Sequence, residues 1–551
     1  MTTLVRTSRT ALSKATWRQS HLSVATAAVG RRAFSAEKGT DDATPARRLW
    51  STPGILNPKR GHLDNLSEPS SGSLKWYSCG PTVYDSAHLG HARTYVSLDI
   101  IRRILVDHFH FDVTYALGVT DVDDKIIARA RERGLTRWPE IAVMAGEFEK
   151  EFMKDMDDLG VRRPDAVARV TEHLPDIIAY IQRIIENGMA YEAEGGIYFD
   201  VEKMGSDYGK LGIGGTDSTT PVEGQEDGES DARGKRSHKD FALWKKAKPD
   251  EPWWDAPFGR GRPGWHIECS AMTHSLFGQH LDIHSGGIDL KFPHHTNEIA
   301  QCEAYCFDGE SGAAQGDNAS ARVGLDGSGR PWVQHWIHTG HLHIEGRKMS
   351  KSLKNFVTVR EYLDGHAEGR RAAAEDFRMF CLMHKYSSSV TLSEDRMEEA
   401  RIIRGRMERF LGMADTVLRG ATTDQSESSR RWGDKEKWLQ EEISACRRGV
   451  HLALSEDFDT PKVVRHLATL CAITSTHMNS ETMGDAGPVR AAAKCVSDTL
   501  GMLGVGSSKS SASASHGVGE RLWDEGSEHE GGGDKGDGRP ASIARSYRCD
   551  C

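Results

Sequence analysis

The chain has 551 residues, of which 38% are hydrophobic and 27% charged, and a formal net charge of −9 at pH 7. These values are typical of a globular protein of several domains and exclude a fibrous chain. No segment approaches the roughly 18 apolar residues in a row that a membrane-spanning helix needs, so we predict no contact with a membrane. Because the total charge is negative, any nucleic-acid surface must be a local basic patch on an acidic protein.

Cysteine usage and the N-terminus both bear on the cellular compartment. The ten cysteines lack the dense spacing of a disulfide framework, which favours a reducing environment. Residues 1–36 contain six Arg or Lys, many Ser, Thr and Ala, and no acidic residue. This composition is typical of an organelle transit peptide, and Arg32-Ala33-Phe34-Ser35 resembles a matrix-protease cleavage site. We predict that the protein is located in the mitochondrial matrix. The alternatives are a plastid, dual cytosolic targeting, or a basic N-terminus without a targeting role.

From Leu74 onward, segments with strand and helix patterns alternate. Residues 75–79 read as a strand that ends in a turn at Gly80-Pro81, Tyr95 to Phe109 has apolar residues at helical spacing, and Val113 to Val119 is a second apolar strand. This alternation predicts an α/β fold with a Rossmann-like parallel sheet.

The rest of the chain divides by composition. The sheet pattern returns at 281–284 and 332–343, and the character is helical from Ser393 onward. Polar, Gly-rich stretches at 205–239, 306–330 and 419–434 are typical of exposed loops or linkers. We predict a flexible lead-in at 37–73, a sheet-bearing domain at 74–360 with an insertion at about 140–260 that begins mainly helical, a linking helical segment at 361–392, an α-helical domain at 393–505 and a disordered tail at 506–551.

Two short motifs suggest a phosphate site. In His88-Leu89-Gly90-His91, two histidines three residues apart share one face of a helix that begins there, and Gly90 permits close approach of a ligand. In Lys348-Met349-Ser350-Lys351-Ser352, small residues between lysines can form a mobile basic loop that closes over a polyphosphate. Taken singly, two nearby histidines are usually surface or packing residues, and a lysine–serine cluster is more often a solvated turn.

Taken together, in this order and about 260 residues apart, the two motifs resemble the paired signatures of class I aminoacyl-tRNA synthetases. Four further strings are similar to segments of the cysteinyl-tRNA synthetases, and the resemblance extends over roughly residues 74–500. The strings are Cys79-Gly80-Pro81-Thr82-Val83-Tyr84-Asp85, Thr120-Asp121-Val122-Asp123-Asp124-Lys125-Ile126, Gly264-Trp265-His266-Ile267-Glu268-Cys269-Ser270 and Phe292-Pro293-His294-His295.

The resemblance implies one zinc ion per chain, held by Cys79, Cys269, His294 and Glu298. His294 and Glu298 are four residues apart in a predicted helix from His294 to Tyr305, so their side chains project from one face. Spacing alone does not distinguish such a pair from a solvated helix face. Two thiolates, an imidazole and a carboxylate form a plausible zinc-binding set, and zinc favours the sulfur of a cysteine substrate over the hydroxyl of serine.

The resemblance also implies the substrates and their sites. ATP with Mg²⁺ is expected at His88, Gly90, His91, Gly287, Asp289, Lys348 and Lys351, of which His88, His91, Lys348 and Lys351 are the predicted catalytic residues. L-cysteine is expected at Cys79, Thr120, Trp265 and His284. The implied first step is attack of the cysteine carboxylate on the α-phosphorus of ATP, and the second step is transfer of cysteine to the 3′ end of tRNA-Cys. The resemblance also implies a monomeric enzyme, in which the domain at 74–360 is catalytic and the domain at 393–505 binds tRNA.

One departure leaves alternatives open. After about Val505 the sequence is of low complexity, and we find no counterpart of the small basic C-terminal module that is common in this family. A related cysteine ligase that acts on an amino sugar, of the mycothiol type, uses the same adenylate chemistry. A non-catalytic RNA-binding relative is the third possibility.

Overall fold

A computed structural model describes residues 53–57, 63–66, 72–212, 234–306, 331–344, 347–348, 356–423, 432–480 and 485–506, with only the backbone at 347, 348, 422 and 423. The predicted transit peptide, Lys351 and nearly all of the predicted tail lie outside these residues, as do the centres of the stretches predicted as loops at 205–239 and 306–330.

The strands belong to four sheets: β3, β4, β5, β10 and β11 form the largest, β6 to β9 a four-stranded one, β12 to β14 a three-stranded one, and β1 and β2 a pair. Their bounds are β1 (Gly54–Leu56), β2 (Leu63–Asn65), β3 (Leu74–Thr82), β4 (Val113–Thr120), β5 (Ala166–Arg169), β6 (Ala190–Ala193), β7 (Gly196–Phe199), β8 (Phe241–Lys246), β9 (Gly261–Pro263), β10 (Leu281–Gly287), β11 (Val333–Thr339), β12 (Leu342–Ile344), β13 (Arg347–Lys348) and β14 (Val390–Leu392).

The α-helices are α1 (Leu89–Arg103), α2 (Asp124–Glu132), α3 (Trp138–Asp158), α4 (Leu174–Glu186), α5 (Val201–Met204), α6 (Trp265–Phe277), α7 (Thr296–Tyr305), α8 (Val359–Asp364), α9 (Arg370–Leu382), α10 (Glu394–Thr423), α11 (Asp434–Ser455), α12 (Thr460–Met478) and α13 (Gly487–Met502). Single π-helical turns follow α1 at Ile104–His108 and precede α7 at Lys291–His295, and 3₁₀ turns lie at Val170–His173, Gly205–Asp207 and Ile288–Leu290.

The largest sheet is parallel throughout, in the order β11-β10-β3-β4-β5. Helices follow its strands, as in α1 between β3 and β4, so the predicted α/β fold with a Rossmann-like parallel sheet is confirmed. The carboxyl ends of β3, β4, β10 and β11 meet at one edge of the sheet, which is where open α/β sheets bind ligands. The functional residues discussed below gather at that edge.

One local prediction about this sheet is wrong. Strand β3 does not end in a turn at Gly80-Pro81 but continues to Thr82 through a register shift against β4. A bulge tolerates a proline that cannot donate a hydrogen bond to the sheet. The insertion begins mainly helical with α3 and α4, in agreement with the sequence pattern, but it also contains the edge strand β5, whose four residues are too short to show alternation.

The lead-in is also more ordered than predicted. Strands β1 and β2 pair antiparallel, and Ile55 and Leu66 are buried in the core that the sheet shares with the helical part of the chain. Gly54 forms a backbone bridge with Glu456 at the end of α11. These strands are stabilised by distant residues, which is why a Pro-, Gly- and Ser-rich sequence did not indicate them.

Helices α10 to α13 pack together after β14, in agreement with the helical pattern predicted from Ser393 onward. Asp459 caps α12 by accepting a hydrogen bond from the amide of Lys462, and Pro461 lies in the first turn of the helix. Helix α10 extends to Thr423, into the linker predicted at 419–434. The predicted linking segment at 361–392 consists of α9 and most of α8, followed by β14. Within the part of the chain that the structure describes, no helix is long and apolar enough to cross a bilayer.

The contact between His108 and His451 makes stability depend on pH. Nε2 of His108 lies 3.0 Å from Nδ1 of His451 in α11, and burial, together with the neighbouring imidazoles of His451 and His110, lowers the pKa of His108 to about 4. The unfolded chain therefore binds a proton between pH 6.5 and 4 that the folded chain excludes, and stability falls as the pH decreases through this window.

We expect the melting temperature to decrease between pH 7 and pH 5, and to decrease less in His108→Gln, because one titrating histidine contributes up to about 1.4 kcal/mol per pH unit. Thermal unfolding at both pH values tests this, with His238→Gln at an exposed position as the control. An equal loss of stability in His108→Gln and in the parent protein would contradict the assignment.

Candidate active site

The first signature lies at the N-terminus of α1. His88 is the N-cap, and its Nδ1 accepts a hydrogen bond from the amide of His91 at 3.3 Å, while Nδ1 of His91 accepts one from the amide of His88 at 3.4 Å. The two imidazole rings stack with centroids 3.8 Å apart. A Cβ atom on Gly90 would lie 2.8 Å from the ring of His88, so a side chain there would displace the ring. The motif is therefore a fixed pair of imidazoles at a helix N-terminus, where anions bind favourably.

The chain on both sides of the second signature lies close to the first. Lys348 is in β13, whose backbone pairs with His343 of β12. Where the described chain resumes, Thr358 forms a backbone bridge with His88, and the amide of Leu89 donates to the carbonyl of Val357. The structure thus brings the flanks of the lysine motif to the histidine motif, while Lys351 itself lies outside the described residues.

The four predicted metal ligands meet in one buried cluster. Cys79 comes from the end of β3, Cys269 from α6, His294 from the π-helical turn before α7, and Glu298 from α7 itself. Their ligand atoms all lie within 4.8 Å of one another, with the two sulfurs 3.7 Å apart. Oε1 of Glu298 is 3.0 Å from Nε2 of His294 and 3.8 Å from Sγ of Cys79. The predicted helix begins two residues later than His294, yet the two side chains still converge.

Two further histidines orient this cluster. Nε2 of His284 lies 2.8 Å from Oε2 of Glu298, on the oxygen that faces away from His294. Nδ1 of His266 lies 3.0 Å from Nδ1 of His294, which leaves Nε2 of His294 directed into the cluster. Partners of this kind fix the rotamer of a ligand and the ring nitrogen that it presents.

A second set of donors overlaps the first. Cys79, His284, His295 and Glu298 also bring their ligand atoms within 4.8 Å of one another. Nε2 of His295 is 3.4 Å from Sγ of Cys79, and its Nδ1 is 2.9 Å from Nε2 of His338. The set that contains both cysteines fits zinc better, because zinc favours thiolate ligands and because His284 is already engaged with an oxygen of Glu298.

The two thiols differ in acidity. The hydrogen bond from Cys79 lowers the pKa of Cys269 to about 6, against the opposing effect of burial. Burial raises the pKa of Cys79 well above its usual range, and the neighbouring Cys269 and Glu298 add to that effect. The pair therefore offers one thiolate at neutral pH beside a thiol whose deprotonation requires a cation.

The carboxylate and imidazole of the cluster form an ion pair. Burial alone would raise the pKa of Glu298, but His284 and His294 lower it to about 2. Burial opposes a charge on His294 as well, and the carboxylate of Glu298 nevertheless raises its pKa to about 10. A cation between these donors would take over the role of the proton on His294.

The residues predicted to contact L-cysteine lie around this cluster. Trp265 is half-buried, with its ring centroid 4.5 Å from that of His294. Oγ1 of Thr120 donates to Oε2 of Glu268 at 3.0 Å, and burial, with Asp123 nearby, raises the pKa of Glu268 well above its usual range. His284 instead holds Glu298, so the structure places it behind the ligands. Next to the cluster opens a cleft whose lining includes Thr82, Lys125, Tyr208, Phe241 and Trp265.

Gly287 and Asp289, two of the predicted ATP-binding residues, lie at the end of β10 and just after it. A Cβ atom on Gly287 would lie 2.4 Å from Oδ1 of Asp289, so a side chain there would displace this carboxylate, which folds back over the chain. A Cβ atom on Gly286 would lie 3.1 Å from the ring of His295. The segment is thus adjacent both to the carboxyl end of the sheet and to the buried cluster.

Helix α1 connects the two halves of the site. The hydroxyl of Tyr95 donates to the carbonyl of Cys79 at 3.3 Å, and the hydroxyls of Thr94 and Thr339 lie 3.0 Å apart. The helix that begins with the two stacked histidines therefore rests on the ends of β3 and β11. A ligand bound at the N-terminus of α1 would therefore be a neighbour of a ligand bound at the buried cluster.

Several residues of the site were not assigned a role from the sequence. His266 and Glu268 belong to a string that was recognised as a whole, and His295 follows His294, so the strings contained them without indicating their contacts. His338 and Trp336 lie on β11, where an apolar strand pattern gave no functional signal.

Comparison with known proteins identifies the class. Residues 65–312 and 316–402 match the family described as tRNA synthetases class I (C) catalytic domain. The structure resembles the Mycobacterium tuberculosis methionyl-tRNA synthetase in complex with methionyl-adenylate, with a TM-score of 0.52 and 14% identity over 78% of this chain and 90% of that one. At this identity the likeness concerns the fold alone. The fold and the sequence match define a class I aminoacyl-tRNA synthetase catalytic domain.

Two relatives narrow the class to one family. The cytoplasmic cysteine–tRNA ligase of Dictyostelium discoideum is 41% identical over 413 residues, which are 74% of this chain and 57% of that protein. The probable mitochondrial cysteine–tRNA ligase of Xenopus tropicalis is 40% identical over 448 residues, 78% of this chain and 70% of that protein. The chain belongs to the cysteine–tRNA ligase family, as the motifs predicted.

Close packing of β3 on β4 positions Cys79, and this gives a test of the site's construction. A Cβ atom on Gly80 would lie 1.8 Å from the carbonyl oxygen of Gly118, so Gly80→Ala must separate the two strands. We expect a loss of about 1–3 kcal/mol in the free energy of unfolding, measured by thermal or urea denaturation. Gly146→Ala in α3, where a Cβ atom meets nothing within 4 Å, is the control and should be neutral or slightly stabilising. Equal stability of both variants would contradict the observed strand geometry.

Proposed function

We propose that this protein activates L-cysteine with ATP to form cysteinyl-adenylate and pyrophosphate, and then transfers cysteine to the 3′ end of tRNA-Cys. The observation that carries the proposal is the buried cluster of Cys79, Cys269, His294 and Glu298 beside the N-terminus of α1, in a chain that belongs to the cysteine–tRNA ligase family. The relatives are named tRNA ligases, which favours tRNA over an amino sugar as the acceptor.

Zinc would be held by the two sulfurs, Nε2 of His294 and a carboxylate oxygen of Glu298. The donor set supports this assignment because it is buried, converges within 4.8 Å and includes a thiol with a pKa of about 6. Bound there, zinc would supply a ligand position that prefers the sulfur of cysteine to the oxygen of serine. His266 and His284 keep His294 and Glu298 in place, and Trp265 covers the ring of His294.

The residues of the adenylation site position ATP and stabilise charge. The imidazoles of His88 and His91, whose Nδ1 atoms accept hydrogen bonds from backbone amides, would donate from Nε2 to phosphate oxygens, and Gly90 would let the nucleotide approach the backbone. Asp289 would accept the ribose hydroxyls beside Gly287. Lys348 and Lys351, with Mg²⁺ from solution, would neutralise the charge that develops on the transferring phosphate. No residue of the protein acts as a nucleophile, because the cysteine carboxylate attacks the α-phosphorus directly.

The cleft beside the cluster suits the second step. It borders the ligands through Trp265 and Pro293 and carries Lys125 and Lys239 on its exposed rim. Its aromatic side chains offer stacking surfaces for the bases of a single-stranded RNA end, while its lysines lie among the carboxylates of Asp123, Asp124 and Asp240. We propose residues 393–505 as the domain that binds the body of the tRNA, and a monomer as the active form. Import into mitochondria is proposed from the composition of residues 1–36 and from the mitochondrial relative.

The zinc assignment is tested by Cys269→Ser. We expect purified protein to contain about one zinc per chain, and the variant to lose both the metal and the preference for cysteine over serine in ATP–pyrophosphate exchange. Cys302→Ser is the control, because Cys302 is also buried in this region but contacts the hydroxyl of Tyr180. Full zinc content in Cys269→Ser, measured by atomic emission, would refute the assignment.

The reaction is tested by cysteine-dependent ATP–pyrophosphate exchange. We expect Lys351→Ala to reduce exchange by about 10²-fold or more, because a charge on the transferring phosphate would be left without its partner, while the circular dichroism spectrum stays unchanged. Lys494→Ala, on the surface of α13, is the control. Aminoacylation of total tRNA with labelled cysteine identifies the acceptor. Normal exchange in Lys351→Ala would contradict its role, and absence of exchange in the parent protein would refute the proposed function.

A further inference from the structure

The segment Asp457-Phe458-Asp459-Thr460-Pro461 forms a strained corner between α11 and α12. Asp457 and Phe458 both have a φ angle of 53°, a left-handed conformation that is unfavourable for residues with a Cβ atom. Phe458 is buried, with 2% of its surface exposed. Strain of this kind persists only where surrounding contacts hold the backbone.

Contacts from two distant segments hold the corner. Oδ1 of Asp457 accepts hydrogen bonds from the hydroxyl of Tyr386 at 2.8 Å and from the amide of Leu56 at 3.0 Å. The amide of Asp457 donates to the carbonyl of Gly54 at 3.0 Å. Lys385 adds an ion pair with Asp459 at 3.5 Å. The corner is therefore tied to the loop 383–389, which connects α9 to β14.

The opposite side of this loop contacts the helix of the first signature. Arg93, two residues after His91 in α1, is 2% exposed, and its Nη2 donates to the carbonyl of Ser388 at 2.5 Å. The amide of Gly340, at the end of β11, donates to the carbonyl of Tyr386 at 2.9 Å. A Cβ atom on Gly340 would lie 2.2 Å from the oxygen of Ser388, so the loop fits closely against this part of the sheet.

The loop also sets the position of the strand that carries Lys348. It leads directly into β14, which pairs with β12 at Leu342 and Val390, and β12 pairs in turn with β13 at His343 and Lys348. A continuous set of contacts thus runs from the helical corner, through Tyr386 and the loop, to both signatures. The contact between Asp457 and Tyr386 joins the helical part to this set through two side chains.

We propose that Tyr386 and Asp457 are positioning residues for cysteine activation, because their contact fixes loop 383–389 and thereby the distance between the N-terminus of α1 and the strand of Lys348. The inference rests on the proposed function and adds residues that contact neither substrate. The corner in the helical part thus completes the geometry of the ATP site.

Tyr386→Phe removes the hydroxyl that Asp457 binds and keeps the ring. We expect the kcat for ATP–pyrophosphate exchange to fall about tenfold and the KM for ATP to rise, while the KM for cysteine stays unchanged, since small displacements of catalytic groups are costly. Asp457→Ala should show the same pattern, and the double variant should be no worse than either single one. Asp457→Asn keeps the acceptor oxygen and should retain the parental kcat and the parental KM for ATP. Tyr362→Phe, which loses a partly buried hydrogen bond from the phenol to the carbonyl of Ala373, is the control and should retain the parental constants.

Hydrogen–deuterium exchange gives a readout that does not depend on activity. In Tyr386→Phe the amides of β12 and β13 should exchange faster, while those of α12 and α13 keep their protection. The proposal would be overturned if Tyr386→Phe kept the parental kinetics and showed unchanged exchange in β12 and β13, with only a lower melting temperature. Tyr386 would then be a purely structural residue. If the parent protein shows no ATP–pyrophosphate exchange, the proposed function fails, and the deuterium data still decide whether the corner positions β13.

Discussion

The two oxygens of the Glu298 carboxylate lie 2.8 Å from His284 and 3.0 Å from His294 in a pocket without solvent exposure. A charge so deeply buried is costly unless it is paired and fully hydrogen-bonded, so the surrounding residues must satisfy it. The arrangement of β10, α6 and α7 at the carboxyl end of the sheet meets this requirement. It also brings the sulfurs of Cys79 and Cys269 to the same point, and the buried centre and the local fold thus depend on one another.

The parallel sheet explains why residues far apart in the chain form one site. Strands β3, β4, β10 and β11 all end at the same edge, and their last residues supply Cys79, Thr120, Gly287 and Thr339. Helix α1 leaves this edge directly after β3, so its N-terminus lies beside the buried cluster. The proposed division of labour, with cysteine at the cluster and ATP at the helix, follows from this geometry together with the chemistry of the side chains.

The helical part of the protein shares its core with the sheet and contacts the site indirectly. Arg378 in the linking helix α9 joins the two parts, because its Nη1 lies 2.6 Å from a carboxylate oxygen of Asp99 in α1 and donates to the carbonyl of Leu503, just after α13, at 3.4 Å. The strained corner at Asp457 and Phe458 adds a contact whose cost must be offset by its neighbours. A domain proposed to bind tRNA is in this way continuous with the groups proposed to activate the amino acid.

The sequence by itself determined the fold class and the two signature motifs, because these depend on local periodicity and on short strings whose residue types carry the chemistry. The four residues of the cluster were predicted from the resemblance to cysteinyl-tRNA synthetases, since their spacing alone did not indicate a common site. Tertiary structure alone decided which residues satisfy that cluster. His266, His295 and Glu268 act through contacts with residues distant in sequence, and no local pattern encodes such a contact. The same reason explains β5, which pairs with β4 about 50 residues earlier, and the contact of Tyr386 with Asp457, 71 residues away. It also explains β1 and β2, since the amide of Leu56 donates to Asp457, 401 residues away. Short segments bury too little surface to specify their own structure, and their conformation is set by the surface against which they pack.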